Sequence, residues 1–145
     1  MHMLQQTGLG LVTAVLAVAL SGCAGDTDTP SDPGAAQGAI RVQCERQASP
    51  DRSKISVDGN NLVPQNGAFR ARVSAAGGSV TSPARQAAGD EVEFDFDSNP
   101  NDIAEGATAI VPTLIAARAG ADVVGEILSP QGQVVASQSV ECQFP

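Results

Sequence analysis

Apolar and polar residues alternate along this chain in a series of short runs, and turn-forming residues break each run before a helix could grow. Ile40, Val42 and Cys44 share one side of the first run, and Ile55 and Val57 continue the pattern up to Asp58-Gly59. Phe69, Ala71 and Val73 alternate with Arg70 and Arg72, and Gly77-Gly78 then leads into Ser79 to Ser82. Val92, Phe94 and Phe96 alternate with Glu91, Glu93, Asp95 and Asp97. A period of two puts successive side chains on opposite faces of a strand, so each run has one face for a core and one for water. Near the end, residues 123–128 and 133–144 flank Ser129-Pro130-Gln131-Gly132, a hairpin signal. Six or seven such strands without a long helical pattern predict an all-β fold, a single β-sandwich with one short helical turn.

In strand number and closing hairpin the pattern resembles the immunoglobulin-like sandwiches. It is also similar to small uncharacterised proteobacterial lipoproteins, a resemblance that implies no particular activity. The chain has no Trp and no Tyr, and its aromatics are Phe69, Phe94, Phe96 and Phe144. Its core must therefore be built mainly from Val, Ile, Leu and Ala, each buried Å² contributing roughly 25 cal/mol.

Cys44 and Cys142 fall on the apolar faces of the first and last predicted strands, with Val140 and Phe144 on the same side as Cys142. In an exported domain two such thiols are expected to pair. Closing a loop of about a hundred residues contributes roughly 4–5 kcal/mol on the chain-entropy account. A redox role is disfavoured, because there is no Cys-x-x-Cys and no nearby His to activate a thiolate.

The amino terminus has the pattern of an export signal. Leu9 to Leu20 is an apolar run of twelve residues, too short to span a bilayer core of about 30 Å but suited to a signal-peptide core. It leads into Leu20-Ser21-Gly22-Cys23, which resembles the lipobox of bacterial lipoproteins. That resemblance implies that Cys23 is diacylated on sulfur, that the signal is cut just before it, and that Cys23 becomes the first residue of the mature chain. It further implies, through Ala24 rather than Asp beside the lipidated residue, the outer membrane. Residues 24–37, AGDTDTPSDPGAAQ, have no large apolar side chain that could offset the entropy of ordering them. They read as a tether with a reach of roughly 20 Å. The expected organisation is a signal peptide at 1–22, a lipidated flexible linker at 23–37 and a β-sandwich domain at 38–145.

Charge and composition exclude whole classes of function. A formal net charge of −8, with one Lys, repels phosphate backbones, so nucleic acid is not an expected partner. The one histidine, His2, lies in the signal segment. The mature chain would thus lack Ser-His-Asp and Cys-His arrangements, His-ligated zinc, and the usual base near neutral pH.

The stretch Asp90 to Glu105, DEVEFDFDSNPNDIAE, holds seven carboxylates in sixteen residues. Asp95, Asp97, Asn99 and Asn101 have the every-second-residue spacing that opens a calcium loop, with Asp95, Asp97, Asn101 and Asp102 as the candidate ligands. The pattern departs from the EF-hand at Pro100, where Gly is needed, and at Gly106, where a bidentate Glu is needed. The competing account makes Glu91, Glu93, Asp95 and Asp97 the solvent face of a strand, followed by a helical turn with Asn99 as N-cap, Pro100 in its first position and Gly106 at its end. Calcium binding, or hydrolysis using this segment, is the alternative to a non-catalytic module. Glycoside hydrolysis in particular wants an aromatic-lined cleft that four Phe do not supply.

Arg70 and Arg72 share a strand face, to which Arg41 is a candidate addition. They are either a docking patch for an acidic polymer or partner, or a solvated face paired with Glu93 or Asp95 across a sheet. Ile103 to Ala117 is apolar without clean periodicity, and Pro112 blocks a central strand. It reads as a connection covering one end of the sandwich, or as an exposed apolar binding patch. The function expected from all this is a non-catalytic interaction or structural module of the cell envelope. It would be tied to a membrane through its lipid and would meet an envelope protein or polymer, with no resident cofactor.

Overall fold

The computed structural model describes residues 38–145. The expected signal, Cys23 and the tether lie outside the described residues. Seven strands of four or more residues form: β1 (Ala39–Ala48), β2 (Asp51–Asn60), β3 (Ala68–Ala75), β4 (Gly78–Thr81), β6 (Val92–Asp97), β8 (Asp122–Leu128) and β9 (Val134–Glu141). Two-residue strands β5 (Arg85–Gln86) and β7 (Thr108–Ala109), one helical turn α1 (Pro100–Ala104) and a 3-10 turn at Pro112–Leu114 complete the set.

These strands make the two facing sheets of a β-sandwich. One sheet has the order β1-β2-β6-β7, and the other β4-β3-β8-β9 with β5 also on β3. Every pairing is antiparallel except β6 with β7. The alternation dictates what lies between the sheets. Val42, Ile55, Val57, Phe94 and Phe96 come from one side, and Phe69, Ala71, Val73, Val123 and Ile127 from the other, all buried. Val57 stands opposite Phe94 and Ile55 opposite Phe96, so the aromatic rings pack beside branched aliphatic side chains. Gly125 on β8 lets the sheets approach here, because a Cβ at that position would lie 2.6 Å from Val42 Cγ2.

Ile103 to Ala117 is the connection between the sheets. Ile110, Leu114 and Ile115 are buried against the core, which explains its apolar, aperiodic composition, and Val111 is left exposed. Ser53 Oγ donates to the Pro112 carbonyl at 2.6 Å and fixes the 3-10 turn to β2. Arg46, only 4% exposed, sits beneath this connection. Its guanidinium donates to the carbonyls of Ile115 (3.3 Å), Arg52 (3.2 Å) and Gln47, and to the Asp51 carboxylate. A buried cation with each of its three nitrogens hydrogen-bonded is tolerated, whereas a bare one would not be.

The last strand differs from expectation. It ends at Glu141, and Cys142 N–H bonds back to the Ala121 carbonyl. The chain then crosses to the other sheet, where Gln143 makes a parallel bridge beside Glu45. Phe144 is therefore 37% exposed, off the core-facing row on which the alternation placed it. The arginine partners differ as well. Arg72 donates to Glu126 at 2.5 Å on neighbouring β8, because β3 and β6 belong to different sheets. Arg41 lies on β1, on the opposite sheet from Arg70 and Arg72, and the three form no common patch.

Candidate functional site

Three places concentrate chemistry, and the first is the bridge between the sheets. Cys44 on β1 and Cys142 just past β9 form a disulfide across 98 residues of sequence, joining the two sheets at their shared edge. Both are buried. A buried, paired sulfur is a staple and offers no nucleophile.

The second is the acidic segment. The alternation put Asp97 on the outer face of β6, which is correct, but that face is not open to water there. Asp97 is 1% exposed. Arg52 on β2 donates Nε to its Oδ1 at 2.9 Å and Nη2 to its Oδ2 at 2.5 Å, a bidentate fork, and the Asn99 N–H donates to Oδ1 at 2.8 Å. Asp102 on α1 reaches the same guanidinium at 3.0 Å. Burial alone would push the Asp97 carboxyl up, but the Arg52 fork and the Asn99 N–H outweigh it and hold the carboxyl below the usual carboxylate range. The same hydrogen bond holds the Arg52 proton more firmly than usual.

Two of the four candidate calcium ligands thus share an arginine, and the other two have separate partners. Asp97 and Asp102 share Arg52, Asp95 accepts from Ser56 Oγ at 2.8 Å, and Asn101 donates its N–H to the Asn99 side chain at 3.0 Å. Among the described residues no three His, Cys, Asp or Glu side chains are placed to share a metal ion. The local sequence explains the turn: Asn99 is the N-cap, Pro100 the first helical residue, and Gly106 follows with φ +116°. Arg52 is the functional group that sequence reasoning missed. Its signal was faint: a basic residue on the polar face of a strand two positions from Lys54, with a partner 45 residues away.

Titrating millimolar Ca²⁺ at fixed ionic strength should give no saturable rise in melting temperature. Binding at a hundredfold above the dissociation constant would add about 2.7 kcal/mol, and a saturable rise abolished by Asp97→Asn would overturn the structural role given to Asp97.

The third place is the edge where β1 meets β9. An open groove of about 430 Å³ lies there, lined by the strand β1 from Val42 to Glu45, by Lys54 and Ser56 on β2, and by Val140, Glu141 and Gln143. The chain leaves β8 at Cys142, and its backbone hydrogen bonds to β1 are made at Gln143. No protein-family model matches the chain, and no curated protein matches it in sequence. What these places can do rests on their residues alone. The groove offers strand-edge backbone groups, an amide, a hydroxyl and mixed charge, which suit recognition. Among the described residues there is no histidine at all, and the titratable groups with shifted proton affinity, Arg52, Arg72 and Asp97, are bound in ion pairs.

Proposed function

We propose that this chain is a cell-envelope lipoprotein, anchored by a lipidated Cys23, whose β-sandwich is a non-catalytic interaction module. The observation that carries the reading is the apolar run Leu9 to Leu20 ending in Leu20-Ser21-Gly22-Cys23. The disulfide supports it in two ways. A bridge between Cys44 and Cys142 belongs to an oxidising compartment outside the cytosol. It also accounts for two of the three cysteines, leaving Cys23 as the third.

No helix among the described residues is long and apolar enough to cross a membrane. In this reading the lipid supplies the attachment, since two acyl chains bind far more firmly than one. The tether at 24–37 carries the domain off the surface, and Ala24 favours the outer membrane. An acidic domain without a polybasic segment gains nothing from anionic headgroups, so the anchor has to work alone.

Fractionation tests this. Wild-type protein should stay with carbonate-washed membranes, while Cys23→Ser should either appear in the soluble fraction or accumulate with its signal uncut. A Cys23→Ser protein that is still cleaved and still membrane-bound would rule out the anchor.

A further inference from the structure

The groove between β1 and β9 holds a directed pair of backbone groups. In an antiparallel ladder the N–H and C=O of one residue point to the same side, and alternate residues point to opposite sides. Gln143 donates to the Cys44 carbonyl at 2.9 Å and accepts from the Arg46 N–H at 2.8 Å. The even-numbered residues of β1 therefore turn their backbone groups away from β2, toward the free edge. The Val42 N–H is taken by Gln138 Oε1 at 2.7 Å. Among the hydrogen bonds of the described residues, the Val42 carbonyl and the Cys44 N–H on that edge have no partner. They flank Gln43, and their spacing is the one that Gln143 already uses one step along the strand.

Charge beside this edge is also unbalanced. Asp122 and Glu141 stand directly opposite each other in the β8–β9 ladder, a like-charge pairing that costs stability. No Lys or Arg among the described residues is ion-paired with either. Glu141 lines the groove, whereas Glu45 and Lys54, also lining it, are cross-strand neighbours of opposite charge that offset each other.

We infer that this edge receives an extended peptide strand carrying a basic side chain, its backbone bridging the Val42 carbonyl and the Cys44 N–H and its cation lying against Glu141 and Asp122. Adding a strand to a free sheet edge takes its affinity from main-chain hydrogen bonds and its specificity from side chains at alternate positions. Charge argues against the chain's own segments as occupants. Residues 24–37 bring three Asp and no Lys or Arg, and a second copy brings another formal −8. The inference rests on the domain being an interaction module, but it does not depend on the anchor.

The test uses the full chain in detergent micelles. The probes are a capped, fluorescently labelled hexapeptide of alternating Thr and Val with one central Lys, the same peptide with Glu in that place, and the Lys peptide N-methylated at its central amide. The Lys peptide should bind about tenfold more tightly than the Glu peptide. Glu141→Lys, which removes a repulsion and sits on an exposed position, should abolish or invert that preference, and N-methylation should weaken binding to the wild type. Equal affinities, no binding by any peptide, or a preference unmoved by Glu141→Lys would overturn the site. So would tighter binding after residues 24–37 are replaced by Gly-Ser repeats, which would place the chain's own segment in the groove, or a dimer that the peptide dissociates. Failure here, with membrane release by Cys23→Ser intact, would remove this site and leave the anchored module standing.

Discussion

Replacing both Cys44 and Cys142 with alanine should lower the folding free energy by about 4–5 kcal/mol, the largest effect expected of any substitution in the domain. The size follows from chain entropy: the bridge spans 98 residues, nearly the whole folded segment, so cutting it frees almost the entire unfolded chain. Position adds to this. The bridge joins the two sheets at the edge where β9 ends and the chain crosses to β1, and the two Gln143 hydrogen bonds beyond it depend on that crossing. A domain of this size has only about 5–15 kcal/mol to lose. Urea unfolding of the oxidised wild type and the double-alanine variant would measure the difference. The variant should also show a steeper denaturant slope, because its unfolded state is no longer tied and exposes more surface. A loss below about 1 kcal/mol would mean that the native edge is held by packing and the bridge adds little.

Asp97→Asn should cost about 2–3 kcal/mol. Breaking a fully buried pair by removing one partner costs roughly 3–5 kcal/mol, and the smaller figure reflects Arg52, which keeps 25% of its side-chain surface exposed. The loss should depend on pH, with a definite sign. The folded carboxyl is held below its unfolded value of about 3.9. Its stabilisation is therefore fully present above that pH and disappears as pH falls through the folded value. Melting temperatures of wild type and Asp97→Asn should differ by a constant amount near neutrality and converge in acid below about pH 4. By contrast Asp102→Asn, on a carboxylate 34% exposed, should cost no more than about 1 kcal/mol. A difference between wild type and Asp97→Asn that persists unchanged into acid would show that the Asp97 charge is not what stabilises this corner.

The strands were legible because each has one wet and one dry face, and a period of two records that difference directly. Ile55, Val57, Phe94 and Phe96 are where the alternation puts them. The staple was legible too, since two cysteines on dry faces of terminal strands, in a chain whose sequence reads as exported, are expected to pair. Strands β5 and β7, two residues each, are too short to leave a pattern. Pairing was the harder matter. Arg72 meets Glu126 across 54 residues of sequence, and nothing local to either names the other. Asp97 marks the same limit from another side. Period two assigns a residue to the outer face of a sheet, but whether that face meets water depends on what folds over it. Here Arg52 reaches across from β2 and Asp102 comes in from the turn after the strand. The groove was invisible in the sequence for a similar reason. It is a gap left where the chain changes sheets at Cys142, and apolar patterning carries no record of a gap.

Cys23 decides whether the proposed anchor exists. Protein purified from membranes of cells expressing the full chain, digested and read by mass spectrometry, should give a mature N-terminus at Cys23 with a diacylglyceryl group on its sulfur. An unmodified N-terminus at any other residue, or an unmodified Cys23 inside a longer chain, would contradict the lipoprotein reading.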